Sequence, residues 1–481
     1  MATDPSPDNL RSRMEQNAAD QAAALGQDPG GADRDKLIAG RMREPVTSGL
    51  EGERTAHPEA AWFGRSPVGL FVHWGIPSVH GDCDLSWSMI ANLGHDKKIT
   101  PEDYWAQADR FHPEHFDPGT WLSAARKAGF EYAVLTTKHH DGYTLFPTET
   151  TEMGVRTHLG GRDLVREFVD ACRANGLRPG LYFSGVDWWL DRNYRSFNYR
   201  SETGISPSSL PPIPGRPAFD IRHQVCTPPP MPEAEIEKNK ALCRQQLVEL
   251  LTNYGKIDIL WFDGGCGSDI SVEEIRRLQP GIVINNRGNC RWEMTGGTFP
   301  GDFYTVEFGD APARPPGWWE QLRIWNEPCW GYTLANETRY AATPGILELL
   351  ARTKAWGGAC LLNSGPRPDG SMPAPYFRGM EEITSWMAIY GESLRDVAPV
   401  PAGVETNVPV TTKSDRWFLH LTARGPIEIS PGRHASGIAS LTRLRDGSPV
   451  AFDWDGARLL IPAPSIVEGI GHDVLELRVT I

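Results

Sequence analysis

The sequence predicts an α/β fold: a (β/α)8-type barrel over residues 57–398, then a small C-terminal antiparallel β-sandwich over 399–481. Three observations predict it. Short apolar runs recur through the first region without polar alternation, as strands buried on both faces require. Amphipathic segments with helix-start and helix-stop residues separate these runs, and repeated strand–helix alternation gives a parallel sheet. Beyond Pro399 the helical spacing stops, and Val474–Ile481 (VLELRVTI) alternates strictly, with Leu475, Leu477, Val479 and Ile481 on one face.

In chain order, residues 1–56 are polar and weakly patterned, and read as a tail with one short helix around Arg11–Leu25. Strands are expected at Gly69–Gly75, Tyr132–His140, Leu177–Ser184, Ile257–Gly264, Ile282–Arg287, Tyr304–Phe308 and Ala359–Gly365. Asp117-Pro118 reads as an N-cap followed by proline at the first helical position, and Gly129 ends that helix. Asp163 to Gly176 repeats the pattern, with Leu164, Phe168 and Cys172 on one face. Further helices are expected over Ala241–Tyr254, from Thr343-Pro344, and over Phe377–Tyr390. Residues 201–232 hold nine prolines and form no regular element; in a barrel such a loop is a lid or a wall beside the substrate. Arg416–Thr422 and Leu459–Ile461 join Val474–Ile481 in the terminal β-domain.

Composition excludes several classes. The net charge of −13 and the pI near 5.5 argue against nucleic-acid binding, which calls for a basic face. No run of 18 apolar residues occurs, so no membrane span is expected. The first thirty residues lack the apolar core of a secretory signal. The eight cysteines contain no CxxC pair, so reduced thiols and a cytoplasmic location are expected. No GxGxxG or GxxxxGK[ST] follows a strand, which disfavours a nucleotide site. Seventeen tryptophans suit an apolar core, and also sugar rings, whose C–H faces stack on indoles.

Chemistry gathers at the ends of the apolar runs: His73-Trp74, His139-His140-Asp141, Tyr182 with Asp187-Trp188 beyond, Asp263, Arg287, Glu307 and Asn363. In a (β/α)8 barrel those C-terminal ends converge on one face, where active sites are built. Strands ending in polar residues as the chain turns to water explains any one of these, but not the series. Asp263 follows Ile-Leu-Trp-Phe and precedes Gly264-Gly265, so it stands at a strand tip as a carboxylate nucleophile would, or else caps the next helix.

Glycoside hydrolysis requires two carboxylates across the scissile bond. Glu307 ends an apolar run and is favoured as the partner; Glu320 and Glu327 are the other candidates. Glu320 follows Trp318-Trp319 and equally suits a helical salt bridge. Glu327 lies in Trp-Asn-Glu-Pro, an acid/base string of another barrel superfamily, where it precedes the nucleophile rather than following it. A metal is not expected: adjacent His139 and His140 make a poor chelate on a strand, and His112 and His115 lack a third ligand at a sensible spacing.

Taken together, Gly69–Gly75 (GLFVHWG), Thr137–Gly142 (TKHHDG) and Leu260–Gly264 (LWFDG) resemble the α-L-fucosidases of glycoside hydrolase family 29. Phe111–Asp117 (FHPEHFD), Trp330–Tyr332 (WGY) and Gly357–Pro366 follow in the family's order. The resemblance spans about Trp62 to Leu394 and extends to the C-terminal β-domain. It implies a retaining exo-glycosidase with no cofactor, acting on a fucosylated oligosaccharide or glycoside, with homo-oligomerisation left open. Asp263 matches the family nucleophile. His73, His139, His140, Tyr182 and Arg287 match positions that bind the fucose hydroxyls and steer that nucleophile, and Trp87 matches an aromatic beside the sugar. Glu307 fits the acid/base placement of the branch acting on α-1,3/1,4-linked fucose. Glu307 is expected to titrate high and Asp263 low, a pair pushed apart by environment.

One departure stands out. Ser86-Trp87 occupies the place of the family's usual Glu-Trp, which removes a charge-assisted grip on a sugar hydroxyl. Asp82 and Asp84 are the nearby candidates to replace it. The alternatives are the same mechanism on another L-sugar or a modified 6-deoxy sugar, or a catalytically lapsed glycan-binding barrel.

Overall fold

The parallel strands are β1 Val68–Val72, β2 Tyr132–Lys138, β3 Arg178–Ser184, β4 Ile259–Asp263, β5 Val283–Ile284, β6 Phe303–Val306, β7 Trp318–Ile324 and β8 Ala359–Ser364, and all but β7 follow the expected apolar runs. The computed structural model describes residues 54–93, 99–202, 212–288, 301–307, 311, 314–315, 317–421, 425–462 and 472–480. The expected N-terminal helix, Cys290, Ile481 and part of the proline-rich segment lie outside these residues. The strands pair in the order β5-β4-β3-β2-β1-β8-β7-β6. A parallel bridge between Asn285 and Phe303 joins the two ends of that order, completing a (β/α)8 barrel.

The sequence pattern does not announce strand β7. Its string WWEQLRI carries Glu320, Gln321 and Arg323, so it shows neither an unbroken apolar run nor helical spacing. Glu320 and Gln321 are nevertheless buried. The helical alternative for Glu320 is thereby corrected.

Outside the barrel lie α1 Pro118–Lys127, α2 Leu164–Ala174, α3 Glu233–Thr252, α4 Val272–Leu278, α5 Thr343–Ala355 and α6 Ala374–Tyr390. The caps read from sequence are real: Asp117 accepts from Thr120 N, and Asp163 from Arg166 N. Helix α3 begins eight residues before Ala241, and α4, capped by Ser271, went unread because it spans only two turns. At α5 the cap position is Ala342, and Thr343 is already helical.

Two cores result. One fills the space between sheet and helices, with Leu70, Leu135, Leu181, Leu260 and Leu362 facing Phe168, Leu247, Ile346 and Ile383. The other lies inside the barrel, where Phe71, Tyr132, Tyr182, Trp261, Phe303 and Leu361 pack above a plug of Trp62 and Phe63. Each such ring removed from water contributes about 1.5–3 kcal/mol. Gly69 makes room for this core, since a Cβ there would come within 2.2 Å of the Tyr132 ring. The turn behind the plug is tied by buried Lys354, whose Nζ donates to the carbonyls of Gly64, Arg65 and Ser66.

The C-terminal β-domain has strands β9 Ala398–Pro399, β10 Glu405–Thr406, β11 Val410–Lys413, β12 Arg416–Leu421, β13 Ile427–Ser430, β14 Gly437–Arg443, β15 Asp453–Trp454, β16 Leu459–Ile461 and β17 Asp473–Thr480. They form a five-stranded sheet, β9-β11-β12-β17-β14, and a four-stranded sheet, β10-β13-β16-β15. The alternating Leu475, Leu477 and Val479 pack against Leu419, Ile429 and Leu459 between the sheets. Helix α6 joins the two units, with Trp386 Nε1 donating to His472 O and Tyr390 Oη to Asp473.

The described part of the proline-rich segment carries a two-stranded hairpin, Ala218–Phe219 with Val225–Cys226. His223 Nε2 lies 2.9 Å from Met89 O, and Arg222 pairs with Glu102, so the hairpin braces the segment carrying Ser86 and Trp87. Among the described residues, no helix is long and apolar enough to cross a membrane.

Candidate active site

Pairing fixes the level of each strand tip. Ser184 is the register partner of Asp263, and Tyr182 that of Trp261, so their side chains point inward at two successive levels. At the lower level the Tyr182 and Trp261 rings stack 5.4 Å apart. Directly after Asp263 the chain turns at Gly264, whose φ of +62° suits glycine.

Asp263 Oδ2 accepts from Tyr182 Oη at 2.8 Å, and Oδ1 from Arg287 Nη2 at 2.8 Å. The other nitrogen of that guanidinium, Nη1, donates to Glu307 Oε2 at 2.6 Å. One cation therefore holds both carboxylates, each about one-seventh exposed. Their titrations separate. Burial works to raise the Asp263 carboxyl, but its charged and hydrogen-bonding neighbours, led by the Arg287 guanidinium and including the Tyr182 hydroxyl, outweigh it and hold it below the usual value. For Glu307 burial wins, aided by the negative charge of Asp263 against the pull of Arg287, and its carboxyl is raised. These are the directions expected from sequence.

The histidines form the opposite wall. A register shift between Thr136 and Lys138 breaks the strand alternation just before them, so adjacent His139 and His140 both reach the pocket. His139 stacks on Tyr182 at 5.6 Å and is bonded through Nδ1 to Ser86 Oγ at 2.5 Å. His140 Nδ1 meets Ser184 Oγ at 2.6 Å, and its Nε2 lies 3.6 Å from Asp263 Oδ2. His73 Nδ1 meets Asn363 Oδ1 at 2.7 Å. Burial keeps all three rings neutral at pH 7, pushing His73 and His140 down to about 4 and His139 well below the usual value. Ligating atoms of His139, His140 and Asp263 lie within 4.8 Å of one another, a metal-sized set. Asp263 already carries the Arg287 guanidinium, which repels a second cation there.

Aromatic rings close the pocket. Trp87 meets His140 edge-on at 5.1 Å and Trp188 at 5.4 Å, while Trp330 lies 5.1 Å from His73. Leu85, just before Ser86, sits at φ +54°, a conformation that costs a leucine about 1–2 kcal/mol. It is held by Asp84, whose Oδ1 accepts from Trp330 N and Gly331 N. Asp84 therefore acts as a clamp between two walls, not as a replacement for the missing glutamate.

The structure thus brings together Asp263, Glu307, His73, Trp87, His139, His140, Tyr182 and Arg287. Two acid/base candidates lie elsewhere. Glu320 sits below the pocket, fully buried, and accepts from Tyr132 Oη at 2.5 Å and Trp261 Nε1 at 3.1 Å. Glu327 is half exposed and pairs with Arg323. Asp187 spends its charge on buried Lys138, and Asp141 its side chain on Tyr104, so both are structural. His115 is an exposed partner of Asp369. Ser184 was missed, because a serine at a strand end carries no chemical signature of its own.

A family model described as α-L-fucosidase matches residues 45–392. The chain is 26% identical to the tissue α-L-fucosidase of Bos taurus, covering 85% of this chain and 86% of the relative. It is likewise 26% identical to the plasma α-L-fucosidase of Homo sapiens, over 84% and 86%. Among solved structures, α-L-fucosidase isoenzyme 1 from Paenibacillus thiaminolyticus superposes with a TM-score of 0.68 at 27% identity, covering 88% and 99%. A family-29 α-L-fucosidase from Bacteroides thetaiotaomicron, trapped as a covalent intermediate, shares the fold at a TM-score of 0.69 and 19% identity, covering 89% and 97%. With a barrel of this topology, a family match over most of its length and relatives aligned almost end to end, the chain belongs to the α-L-fucosidase family of glycoside hydrolases, family 29.

Proposed function

We propose that this protein is a retaining exo-α-L-fucosidase in which Asp263 attacks the anomeric carbon and Glu307 protonates the departing oxygen. The observation that carries the proposal is the Arg287 guanidinium shared between the two carboxylates. It keeps Asp263 anionic as a nucleophile requires, while burial favours the proton on Glu307 that a general acid requires. The bond from Asp263 Oδ to the anomeric carbon forms as the glycosidic bond breaks, and the proton of Glu307 goes to the leaving oxygen. Glu307 then takes a proton from water, which displaces Asp263 and releases the sugar with its α configuration retained. His73, His139, His140 and Tyr182 hold the glycone, and Trp87 and Trp330 flank it. The covalent intermediate trapped in the Bacteroides thetaiotaomicron fold relative is that protein's own chemistry, and is in keeping with this route.

Preference for α-1,3/1,4-linked fucose is part of the proposal, and what supports it is the sequence resemblance around Glu307, which fits the acid/base placement of that branch. A reducing, cytoplasmic setting is part of the proposal, and the seven described cysteines, present as thiols rather than as disulfides, are compatible with it. A modified 6-deoxy sugar is the second reading, favoured by Ser86 and by the commitment of Asp84 to backbone amides.

The test is hydrolysis of an aryl α-L-fucoside by wild type and Asp263→Ala, following the first-released anomer by NMR. Release of the α anomer, lost in the variant, supports the proposal. Release of the β anomer, or undiminished activity of the variant, refutes it.

A further inference from the structure

The three pocket histidines are tied through Nδ1 to three different partners, and those partners determine which ring nitrogen carries the proton. Beside His73, Asn363 Nδ2 donates to Trp330 O at 2.7 Å and to Asn326 Oδ1 at 3.4 Å. Asn363 Oδ1 is therefore the oxygen facing His73, and it accepts from Nδ1–H. Beside His140, Ser184 Oγ donates its proton to Val186 O at 2.6 Å, so toward the ring it acts as an acceptor of Nδ1–H. Both rings then present a bare Nε2 lone pair, and His140 Nε2 is buried with no hydrogen-bond partner.

His139 differs. Ser86 has no exposed surface, and among the described residues its hydroxyl has His139 Nδ1 as its partner. Were Ser86 to accept from the ring, its own O–H would be left without an acceptor, at a cost of about 1–3 kcal/mol. Ser86 therefore donates, and His139 carries its proton on Nε2. Stacking on Tyr182 holds that ring in place.

We infer that Ser86 fixes His139 in the Nε2–H tautomer, opposite to His73 and His140, and so acts as a specificity-determining residue. One wall of the pocket then donates a hydrogen bond to the glycone where the neighbouring walls accept one. The glycone is a 6-deoxy-L-sugar with two free hydroxyl donors, whose third oxygen is read only as an acceptor. A carboxylate at position 86 would demand the reverse, because it accepts from Nδ1–H and leaves Nε2 bare. The identity of the ligand as a sugar rests on the proposed function; the tautomer belongs to the free protein.

The first measurement is a long-range 1H–15N NMR spectrum of the full chain labelled at histidine, near pH 7, with His139→Asn to assign the ring. The expected result is Nε2–H at His139 and Nδ1–H at His73 and His140. Ser86→Ala should leave His139 a mixture of both forms, and Ser86→Asp should move it to Nδ1–H. Nδ1–H at His139 in the wild type overturns the inference, and that spectrum decides even if neither Ser86 variant folds. The second is titration with L-fucose and its 2-, 3- and 4-monodeoxyfluoro analogues, since fluorine accepts but never donates. One analogue should bind within about fivefold of fucose and shift the His139 signals, while two weaken by about tenfold or more. Equal weakening of all three overturns the inference. Failure of fucose itself to bind refutes the sugar reading, leaving the tautomer to the spectrum.

Discussion

Glu320→Gln tests the electrostatics of the barrel interior, because it removes a charge without removing a hydrogen-bonding group. Glu320 is fully buried, and both its oxygens face donors, Tyr132 Oη and Trp261 Nε1. Burial, only partly opposed by those two bonds, pushes its carboxyl from 4.5 up to about 7. The folded protein thus keeps a proton that the unfolded chain releases above pH 4.5. By linkage, the stability tied to this proton is fully present below pH 4.5 and is lost as pH rises to 7. At ~1.4 kcal/mol per pH unit, the gap between 4.5 and about 7 amounts to about 3 kcal/mol. Glutamine has no proton to lose, and it still accepts from Trp261 while donating to Tyr132. The variant should therefore gain about 3 kcal/mol on wild type between pH 4.5 and pH 8, with every other titrating group cancelling in the comparison. Urea unfolding of the pair at both pH values measures this, as does Tm at roughly 2 °C per kcal/mol. A difference between the two proteins that stays constant with pH refutes the reasoning, because Glu320 would then be anionic at both ends. Catalytic activity should change only a few fold, since Trp261 keeps its anchor beneath Tyr182 and Arg287.

Three further outcomes are expected. Arg287→Met removes the cation that lowers both Asp263 and Glu307, so both limbs of the pH profile of kcat/KM should move to higher pH. Its peak value should fall by about 10²–10³. Lys138→Met leaves Asp187 charged and unpaired in a buried site, at a cost of about 3–5 kcal/mol by chemical unfolding, and Lys138→Met with Asp187→Leu should recover most of it. Burial also holds the His420–His472 pair neutral, with His472 pushed down to about 4, so the stability it contributes is present above pH 6.5 and is lost as pH falls. Replacing both by Gln should flatten the fall of Tm between pH 6.5 and 4.

Much of the fold and of the pocket was legible because strand tips in a parallel barrel are local features. Leu-Trp-Phe-Asp-Gly states a buried strand, its end and its turn within five residues, and Asp263 follows from those alone. Val-His-Trp and Lys-His-His do the same for β1 and β2. Strand β7 was illegible because Glu320 and Gln321 find their partners on other strands, which gives a polar string a buried place. Asp84 looked like a spare ligand and is instead a clamp, because its partners, Trp330 N and Gly331 N, are backbone groups some 246 positions away.

By itself the sequence determined the barrel, the alternating C-terminal sheet, and the residue types at each strand end, because each of these is written in local periodicity and in the turn that follows. Only the tertiary structure decided that Arg287 bridges Asp263 and Glu307, that Ser86 meets His139, and that Glu320 lies beneath Trp261. Those facts set proton positions and charge, and they depend on barrel closure and strand register, which bring together side chains 20 to 59 residues apart.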